Sequence, residues 1–490
     1  MNEILNLEPK SVIKFFYEIN QIPRGSGNEQ AISDYLVDFA KTRNLEVIQD
    51  EFLNVLISKP CTAGYENAPG VIMQGHMDMV CDKNEDTVHD FTKDPIDMII
   101  DGDHLTANGT TLGADNGIAV AMGLAVLDNN NLEHAALELI ITTDEEVGMT
   151  GAMRFDANLL KGKYFLNLDS EEEGEFTVSC AGGLKSFINL PIQKHEIKTK
   201  GLMCKEIAIK KLTGGHSGVD IHKSRANAIK LTGRILCKLD EKVEIQLVDI
   251  HGGLKDNIIP REAFFTVVFP ENEESTFEEV LDNVCSDLAT EYRTTEPNIE
   301  VISDTLDVPE TIEVIEEDDM EKVIFLLMGL PNGIQTMSPE IKDFVESSLN
   351  IGKIAIEDDH IVYLFAVRSS IRSLKYHISD QLELFARHTN ADFIKTAEYP
   401  EWPLQQDSAL LTKAIEVYKA KYNKEPLVKG IHAGLEPGVF LEKRTDFEAI
   451  SLGPDMDAVH SPDEWLSISS VGRTYDYLID LLKSLNEYRV

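Results

Sequence analysis

Hydrophobic and polar positions follow two different patterns along the first third of the chain. The stretch EQAISDYLVDFAKTR, residues 29–43, places apolar residues three and four positions apart, which is the spacing of one face of an α-helix. Three later stretches, VIMQGHMD, LELIITTDEE and YFLNLDSEE, are short apolar runs that end in polar or acidic residues. Because such runs are typical of buried strands, this part predicts an α/β fold with a mixed, largely parallel sheet.

The middle of the chain has a different order of strand-like and helical stretches. Strand-like and helical stretches follow one another there in the order of a split βαβ module, and a second set begins around HIVYLFAVRSSIRSL. We therefore expect an inserted α+β domain at residues 187–398, made of two ferredoxin-like halves. The α/β pattern then returns, so residues 1–186 and 399–490 are expected to form the two parts of one domain.

Polar side chains end each predicted strand of this first domain. The carboxyl ends of strands in an open α/β sheet are where ligands gather. The first apolar run ends in a pair two residues apart, which lies on one face of an extended strand. Taken alone, that pair is most simply a hydrogen-bonded histidine near the surface. The residues at the three strand ends are His76 and Asp78, Glu145 and Glu146, and Asp169.

Two further residues join this polar set. Asp115, in LGADNGIA, directly precedes an apolar helical stretch, and His460, in MDAVHSPDE, follows the last predicted strand. Asp115 alone is more simply a helix N-cap. However, clustered carboxylates repel one another and are costly to desolvate unless cations lie between them. With Asp115 shared, two divalent ions roughly 3.5–4 Å apart would each have three protein ligands and an open position for water.

Charge, apolar content and cysteine spacing disfavour several classes of protein. The 490-residue chain has a formal net charge of −40, which disfavours binding to nucleic acids and to anionic membranes. Its most apolar run, GIAVAMGLAVL, is far too short to span a bilayer, and we find no basic N-terminal segment followed by an apolar stretch. Six cysteines without a CxxC pair indicate reduced thiols and disfavour a thiolate zinc site. We expect a soluble, cytoplasmic protein.

Several motifs, found in order along the chain, resemble one known family. GHMDMV, LGADNGIA, TTDEEVG, LNLDSEE, GGHSG and MDAVHSP together look like the co-catalytic di-zinc metallopeptidases that include carnosinases and aminoacylases. The resemblance covers essentially the whole chain. It implies a metal-dependent dipeptidase that prefers Xaa-His dipeptides and tolerates others. It also implies two divalent ions, with zinc first and cobalt or manganese as the alternatives.

The resemblance also implies roles for the polar set. Asp78 is implied to orient His76, and Glu145 to act as the general base. The spacing of Glu145 and Glu146 by itself leaves open which glutamate is the ligand and which is the base. The metal ligands implied are His76, Asp115 and Asp169 for one ion, and Asp115, Glu146 and His460 for the other.

Five further residues are candidates for substrate binding, and most have a simpler explanation. The resemblance implies that His216, in GGHSG, helps to hold the substrate carbonyl oxygen, although an ordinary turn histidine is the alternative. Arg368 suits a substrate carboxylate or a strand-surface ion pair. Asn257 faces the substrate or forms a turn. His432 and Glu436, in HAGLEPG, match a family motif without an assignable role.

Other functions and arrangements stay open at this point. A related di-metal deacylase or amidase would use the same chemistry on N-acyl amino acids. A catalytically silent metal-binding or interaction protein would keep the fold, but it would have no need of Glu145 and Asp78. In the family arrangement, 187–398 is a lid or dimerisation-like domain on the catalytic domain. The expected partner is a small peptide. For the oligomeric state, one option is a homodimer, and the other is a single chain whose inserted domain covers its own site.

Overall fold

The computed structural model of the chain describes residues 3–485. A helix forms at Gln30–Thr42, where the apolar spacing of residues 29–43 predicts it, and it buries its apolar face. Within the described residues the α-helices, numbered in chain order, are α1 (Lys10–Asn20), α2 (Gln30–Thr42), α3 (Ala114–Asp128), α4 (Glu145–Gly148), α5 (Thr150–Arg154), α6 (Ala228–Asp240), α7 (Glu274–Glu291), α8 (Glu317–Gly329), α9 (Arg372–His388), α10 (Ala409–Tyr422), α11 (Glu436–Lys443) and α12 (Ile468–Ser484).

The strands include every apolar run that the sequence marks as a buried strand. In chain order they are β1 (Glu46–Gln49), β2 (Val55–Lys59), β3 (Val71–His76), β4 (Met98–Asp101), β5 (His104–Ala107), β6 (Leu137–Thr142), β7 (Tyr164–Asn167), β8 (Glu175–Cys180), β9 (Gly182–Pro191), β10 (Lys194–Lys198), β11 (Leu202–Lys210), β12 (Gly215–His216), β13 (Gln246–Gly253), β14 (Ile258–Ile259), β15 (Ala263–Pro270), β16 (Glu300–Thr305), β17 (Thr311–Ile315), β18 (Gly333–Met337), β19 (Val345–Glu357), β20 (His360–Ser369), β21 (Asp392–Tyr399), β22 (Leu427–Ile431), β23 (Glu448–Ser451), β24 (Met456–Asp457) and β25 (Trp465–Ser467).

The chain divides into two compact units. The first unit takes the chain up to Ser179, residues 402–430 and the chain from Leu435 onward. The second unit takes Cys180–Glu401 and Ile431–Gly434. The boundaries expected from the sequence, after residues 186 and 398, fall inside β9 and β21, and the observed junctions lie just outside these two strands.

The first unit is built on an eight-stranded sheet. Its strand order is β1-β2-β6-β3-β7-β23-β8-β22, and β6, β3, β7 and β23 are mutually parallel, while β1, β2 and β8 pair antiparallel. This confirms the mixed, largely parallel sheet. Strands β3, β6 and β7 are buried along their whole length, which explains why their sequences are almost continuously apolar. Because they are parallel, their carboxyl ends meet at one edge.

Helix α3 is apolar on nearly all sides because it is buried on nearly all sides. It packs against α1 and β3, and every residue from Asn116 to Leu127 is buried. Such a helix belongs to the interior of a folded unit. Across residues 3–485, no helix combines the length and the apolar composition needed to cross a bilayer.

The second unit is built on one antiparallel sheet with two similar halves. The order is β16-β11-β15-β13-β19-β20-β9-β21, with β18 added beside β19. The first half, β11-α6-β13-β15-α7-β16, has the ferredoxin-like order 4-1-3-2. The second half, β9-α8-β19-β20-α9-β21, has the same order, so the expectation of two ferredoxin-like halves is confirmed. The halves join where β13 pairs with β19.

Phe277 tests the core of the second unit. Its side chain has no exposed surface, and its ring stacks on Phe269 with 4.4 Å between the ring centroids. We expect Phe277→Ala to lower the free energy of unfolding by about 3–5 kcal/mol, because it leaves a cavity between α7 and β15. Phe325→Ala, at a ring 48% exposed, is the control and should cost far less. Urea unfolding followed by circular dichroism measures both, and equal losses would contradict the packing described.

Candidate metal centre

The predicted polar set of the first unit comes together at the carboxyl ends of the parallel strands. One member ends β3, two begin α4 directly after β6, and one follows β7 by two residues. The other two come from the start of α3, where the backbone is extended rather than helical, and from the loop between β24 and β25. In that order the residues are His76, Glu145 and Glu146, Asp169, Asp115 and His460.

Asp115 lies between the two histidines and directs one carboxylate oxygen at each. Its Oδ1 is 3.1 Å from His76 Nε2, and its Oδ2 is 3.0 Å from His460 Nε2. Asp169 Oδ1 is 3.6 Å from the same nitrogen of His76, and Glu146 Oε2 is 3.0 Å from that of His460. The cluster therefore consists of two groups of three residues that share Asp115. The family resemblance implied these two groups as ligand sets, and their role as metal ligands stays a prediction.

Asp78 fixes both the first histidine and the two glutamates. Its Oδ1 is 3.3 Å from His76 Nδ1 and accepts a hydrogen bond from the backbone N–H of Glu145 (3.1 Å). Its Oδ2 accepts from the N–H of Glu146 (3.3 Å). Glu145 Oε2 lies 4.0 Å from His76 Nε2, whereas Glu146 turns towards His460. Adjacent glutamates on one short helix thus serve different sides of the cluster.

Sequence reasoning did not assign two other residues that hold this arrangement. Ser26 Oγ donates a 2.8 Å hydrogen bond to Asp78 Oδ2. Buried Asn116 accepts from the backbone N–H of His76 (3.2 Å) and donates to the carbonyl oxygen of Leu168 (3.0 Å). The only sequence signal for Ser26 is its position in IPRGSGNEQ, because a single serine in a glycine-rich loop carries no pattern of its own.

Burial and close charges shift the pKa values of the cluster. Burial raises the pKa of Glu145 to about 8, while His76 acts in the opposite direction. Burial tends to lower the pKa of His76, but the surrounding carboxylates, led by Asp169 and Asp115, raise it well above its usual range. Hydrogen bonds to carboxylates, Asp115 first, raise the pKa of His460 to about 11. The cluster therefore has excess negative charge that protons or cations must neutralise.

The donor set fits divalent metal ions. Imidazole nitrogens and carboxylate oxygens are the ligands that zinc, cobalt and manganese accept. Ligand atoms of His76, Asp115 and Glu146 all lie within 4.8 Å of one another. In addition, Glu146 Oε1 is buried and has no hydrogen-bond partner among the described residues. A cation in the cluster would satisfy this oxygen.

Glu436 lies beneath the strand ends as a fully buried carboxyl group. Thr142 Oγ1 donates a 2.8 Å hydrogen bond to its Oε2, and Gln74 Nε2 donates to the same oxygen. Burial raises the pKa of Glu436 to about 7. A carboxyl group without exposed surface is not presented to a substrate. The burial therefore favours a role in supporting β3 and β6 over the substrate contact expected from the sequence.

His216 and Asn257 lie on paired loops of the second unit. Strands β12 and β14 pair there, and the N–H of Ser217 donates to the carbonyl oxygen of Asn257 (2.8 Å). His216 Nδ1 accepts from the N–H groups of Gly218 and Val219, each at 3.2 Å. Burial, and then a nearby arginine, lowers the pKa of His216. Because Nδ1 accepts two backbone N–H groups, these contacts place the donor N–H of the imidazole on Nε2.

The nearby arginine is Arg368, and His432 belongs to the same unit. Arg368 Nη1 donates to the hydroxyl of Tyr399 (2.5 Å), and its Nε is buried without a partner among the described residues. His432 Nε2 lies 2.7 Å from Ser348 Oγ. Burial and the Arg368 charge lower the pKa of His432 to about 3. The guanidinium group of Arg368 thus lies near two imidazoles whose pKa values are lowered, an arrangement that suits anionic groups.

The fold and the metal-ligand cluster together place the chain among the metal-dependent peptidases. It belongs to the peptidase family M20/M25/M40, whose family model matches residues 72–484. This confirms the resemblance inferred from the motifs.

Individual relatives agree with this membership. The cytosol non-specific dipeptidase of Escherichia coli K12 is 37% identical over 485 residues, with 99% of each chain covered. The crystal structure of aminoacylhistidine dipeptidase from Vibrio alginolyticus is 39% identical, covers 98% of each chain and gives a TM-score of 0.93. Human carnosine dipeptidase 1, at 11% identity and a TM-score of 0.51, covers 97% of this chain and 96% of its own and shares the fold.

A substitution at Thr142 tests whether its hydrogen bond to Glu436 stabilises the strands that carry the cluster. Thr142→Val keeps the side-chain shape but removes one of the two hydrogen bonds to buried Glu436. We expect the free energy of unfolding to fall by about 1–3 kcal/mol, because a buried acceptor loses a donor. Chemical denaturation measures the loss. Thr142→Ser, which keeps the hydroxyl, should recover most of the difference, and a serine variant as unstable as the valine variant would speak against the hydrogen bond.

Proposed function

We propose that this chain is a metal-dependent dipeptidase that hydrolyses short peptides, with Xaa-His dipeptides preferred and other dipeptides tolerated. One observation carries the proposal: Asp115 directs its two carboxylate oxygens at two separate histidine–carboxylate groups. That donor set suits two divalent ions sharing one carboxylate. The names of the Escherichia coli and Vibrio relatives support the substrate class, and the preference for a C-terminal histidine rests on the Vibrio relative and on the motifs.

We assign the metal ligands as two sets with one shared member. Zinc is the first choice for both ions, and cobalt and manganese are the alternatives, because all three accept nitrogen and oxygen ligands. When bound, such ions lower the pKa of a water molecule and polarise a carbonyl group. The proposed ligands are His76, Asp115 and Asp169 for one ion, and Asp115, Glu146 and His460 for the other.

Glu145 is the proposed general base. Its carboxylate lies beside the cluster but is directed away from the His460 side, where Glu146 is placed. The backbone N–H of Glu145 is hydrogen-bonded to Asp78, so the start of α4 is fixed. The carboxylate of Glu145 would accept a proton from the attacking water and return it to the leaving amine. Asp78 orients His76 through its contact with Nδ1.

The polar cluster of the second unit is proposed to bind the substrate. Since Nδ1 of His216 accepts two backbone N–H groups, its Nε2 donates, which suits the carbonyl oxygen on which negative charge develops. Arg368 has a buried Nε without a partner among the described residues, and its planar fork suits the terminal carboxylate of a dipeptide. Asn257, on the loop paired with the His216 loop, and His432, which contacts Ser348, are further candidates.

We also propose a cytoplasmic protein whose partners are peptides and a second copy of the chain. The net charge of −40 disfavours nucleic acids and anionic membranes, and the Escherichia coli relative is named a cytosol enzyme. Strand β21 supports a homodimer, because it pairs only with β9 among the described strands and most of its residues are exposed. Sedimentation analysis tests the oligomeric state.

Glu145→Gln tests the proposed base. We expect kcat to fall by about 10²–10⁴-fold with the metal content unchanged, because the amide cannot accept the proton. The matched control is Asp144→Asn, which removes the preceding carboxylate, one with no assigned role. Steady-state kinetics and elemental analysis measure both variants. Full turnover by a metal-loaded Glu145→Gln protein would show that another group is the base.

Metal removal and resupply test the reaction class. We expect chelator-stripped protein to be inactive and zinc, cobalt or manganese to restore it, because each ion has three protein ligands in the proposal. The substrate panel contains Xaa-His and other dipeptides, a tripeptide and an N-acetyl amino acid. Cleavage confined to dipeptides, with Xaa-His fastest, is the expected result. Faster release of the acetyl group would instead identify a deacylase, and activity that survives proven metal loss would refute the mechanism.

A further inference from the structure

The loop that carries Asp115 is held by a buried carboxylate to which none of the roles above applies. Glu464 is 2% exposed and lies far from Asp115 in the sequence. Its two carboxylate oxygens accept hydrogen bonds from four consecutive backbone N–H groups. The donors are Leu112 (2.7 Å) and Gly113 (3.0 Å) to Oε2, and Ala114 (2.8 Å) and Asp115 (3.3 Å) to Oε1.

Arg24 holds the same loop from its carbonyl side. Its guanidinium group, in a residue 2% exposed, donates from Nη2 to the carbonyl oxygen of Gly113 (2.5 Å). Its Nη1 donates to the carbonyl oxygens of Met77 (3.0 Å) and Asp78 (3.2 Å). These two residues directly follow the end of β3. Arg24 therefore ties the loop to the segment that carries the first histidine of the cluster.

The loop approaches Arg24 so closely that a side chain at either of two glycine positions would displace the guanidinium group. Gly113 has a φ of +69°, and a Cβ atom there would lie 2.4 Å from Arg24 Nη2. A Cβ atom on Gly117 would lie 2.6 Å from the same nitrogen. Both glycines stand in the LGADNGIA motif on either side of Asp115. The motif therefore supplies the Asp115 carboxylate and also the two glycines that let the backbone lie against Arg24.

Glu464 also connects Asp115 to the second histidine of the cluster. It follows His460 by four residues, in a tight turn closed by a hydrogen bond from its own N–H to the carbonyl oxygen of Ser461 (3.1 Å). His460 Nε2 lies 3.0 Å from Asp115 Oδ2. One short segment thus supplies His460 and also Glu464, whose carboxylate binds the backbone N–H group of Asp115. The distance between His460 and Asp115 depends on that segment.

We infer that Glu464 is a positioning residue for Asp115, with Arg24 as its counterpart on the carbonyl side. Together they set the orientation in which each oxygen of Asp115 faces one histidine. The inference rests on the proposed function, because it takes Asp115 as the ligand shared by two ions. The competing explanation is that Glu464 is a buried carboxylate that merely stabilises a loop. Metal affinity separates the two, because a purely stabilising role leaves it unchanged in the folded protein.

The first test compares Glu464→Gln with a matched buried glutamate. The amide keeps one acceptor oxygen but turns an NH2 group towards two N–H donors, so the loop shifts. We expect the Kd for zinc of the full-length protein to rise about 10–100-fold, measured by competition with a chromophoric chelator. Glu138→Gln is the control. Glu138 is 5% exposed and accepts from the N–H groups of Lys161 and Gly162 in the same unit. It should lose stability but keep the wild-type Kd.

Each outcome bears on a different claim. A wild-type Kd in folded Glu464→Gln, or an equal rise in Glu138→Gln, would overturn the inference while leaving the proposed function intact. If the wild-type protein itself binds no zinc, the proposed function fails and the inference fails with it. If Glu464→Gln does not fold, Arg24→Lys decides the question. It keeps the charge but cannot reach all the carbonyl oxygens, so the same rise in Kd is expected, and an unchanged Kd would overturn the inference.

Discussion

Repulsion among desolvated carboxylates at one edge of the first-unit sheet is the constraint on which the rest of the site depends. Two like charges 4 Å apart cost about 4 kcal/mol at an effective dielectric constant of 20, and a whole domain has only about 5–15 kcal/mol of net stability. Asp115, Glu145 and Asp169 therefore need positive charge or protons around them. Positive charge comes from the two histidines and the proposed cations. The backbone N–H groups that face Asp78 add partial positive charge.

The sequence predicts those parts of the structure that depend on local patterns. Continuous apolar runs identify β3, β6 and β7, since these strands are buried on both faces, and the polar residues that end the runs identify the cluster. Such reasoning does not find Arg24 and Glu464, because most of their hydrogen-bond partners are backbone groups 53 to 352 residues away. No periodicity of side chains reports which distant N–H or C=O group a buried charge will meet.

Two other features show that closeness or similarity in sequence does not reveal which residues or strands lie together in the fold. His432 and Glu436 stand four residues apart in HAGLEPG, yet the first belongs to the second unit and the second to the first. The ferredoxin-like halves of the second unit share a strand order without an evident sequence repeat. Strand order follows from the length and handedness of connections, which many sequences satisfy. A shared motif or the absence of a repeat is therefore weak evidence about spatial organisation.

The position of β23 links the fold to the order in which the chain is made. This strand, Glu448–Ser451, lies between β7 and β8 near the middle of the first-unit sheet, although about 270 residues separate it from Ser179. Ribosomes add about 5–20 residues per second, so that stretch takes roughly tens of seconds to synthesise. By the end of that interval nearly all strands of the second unit have been made, whereas β7 is paired with β3 but still lacks its other neighbour, β23. One side of β7 therefore stays an unpaired strand edge in the nascent chain until β23 is made.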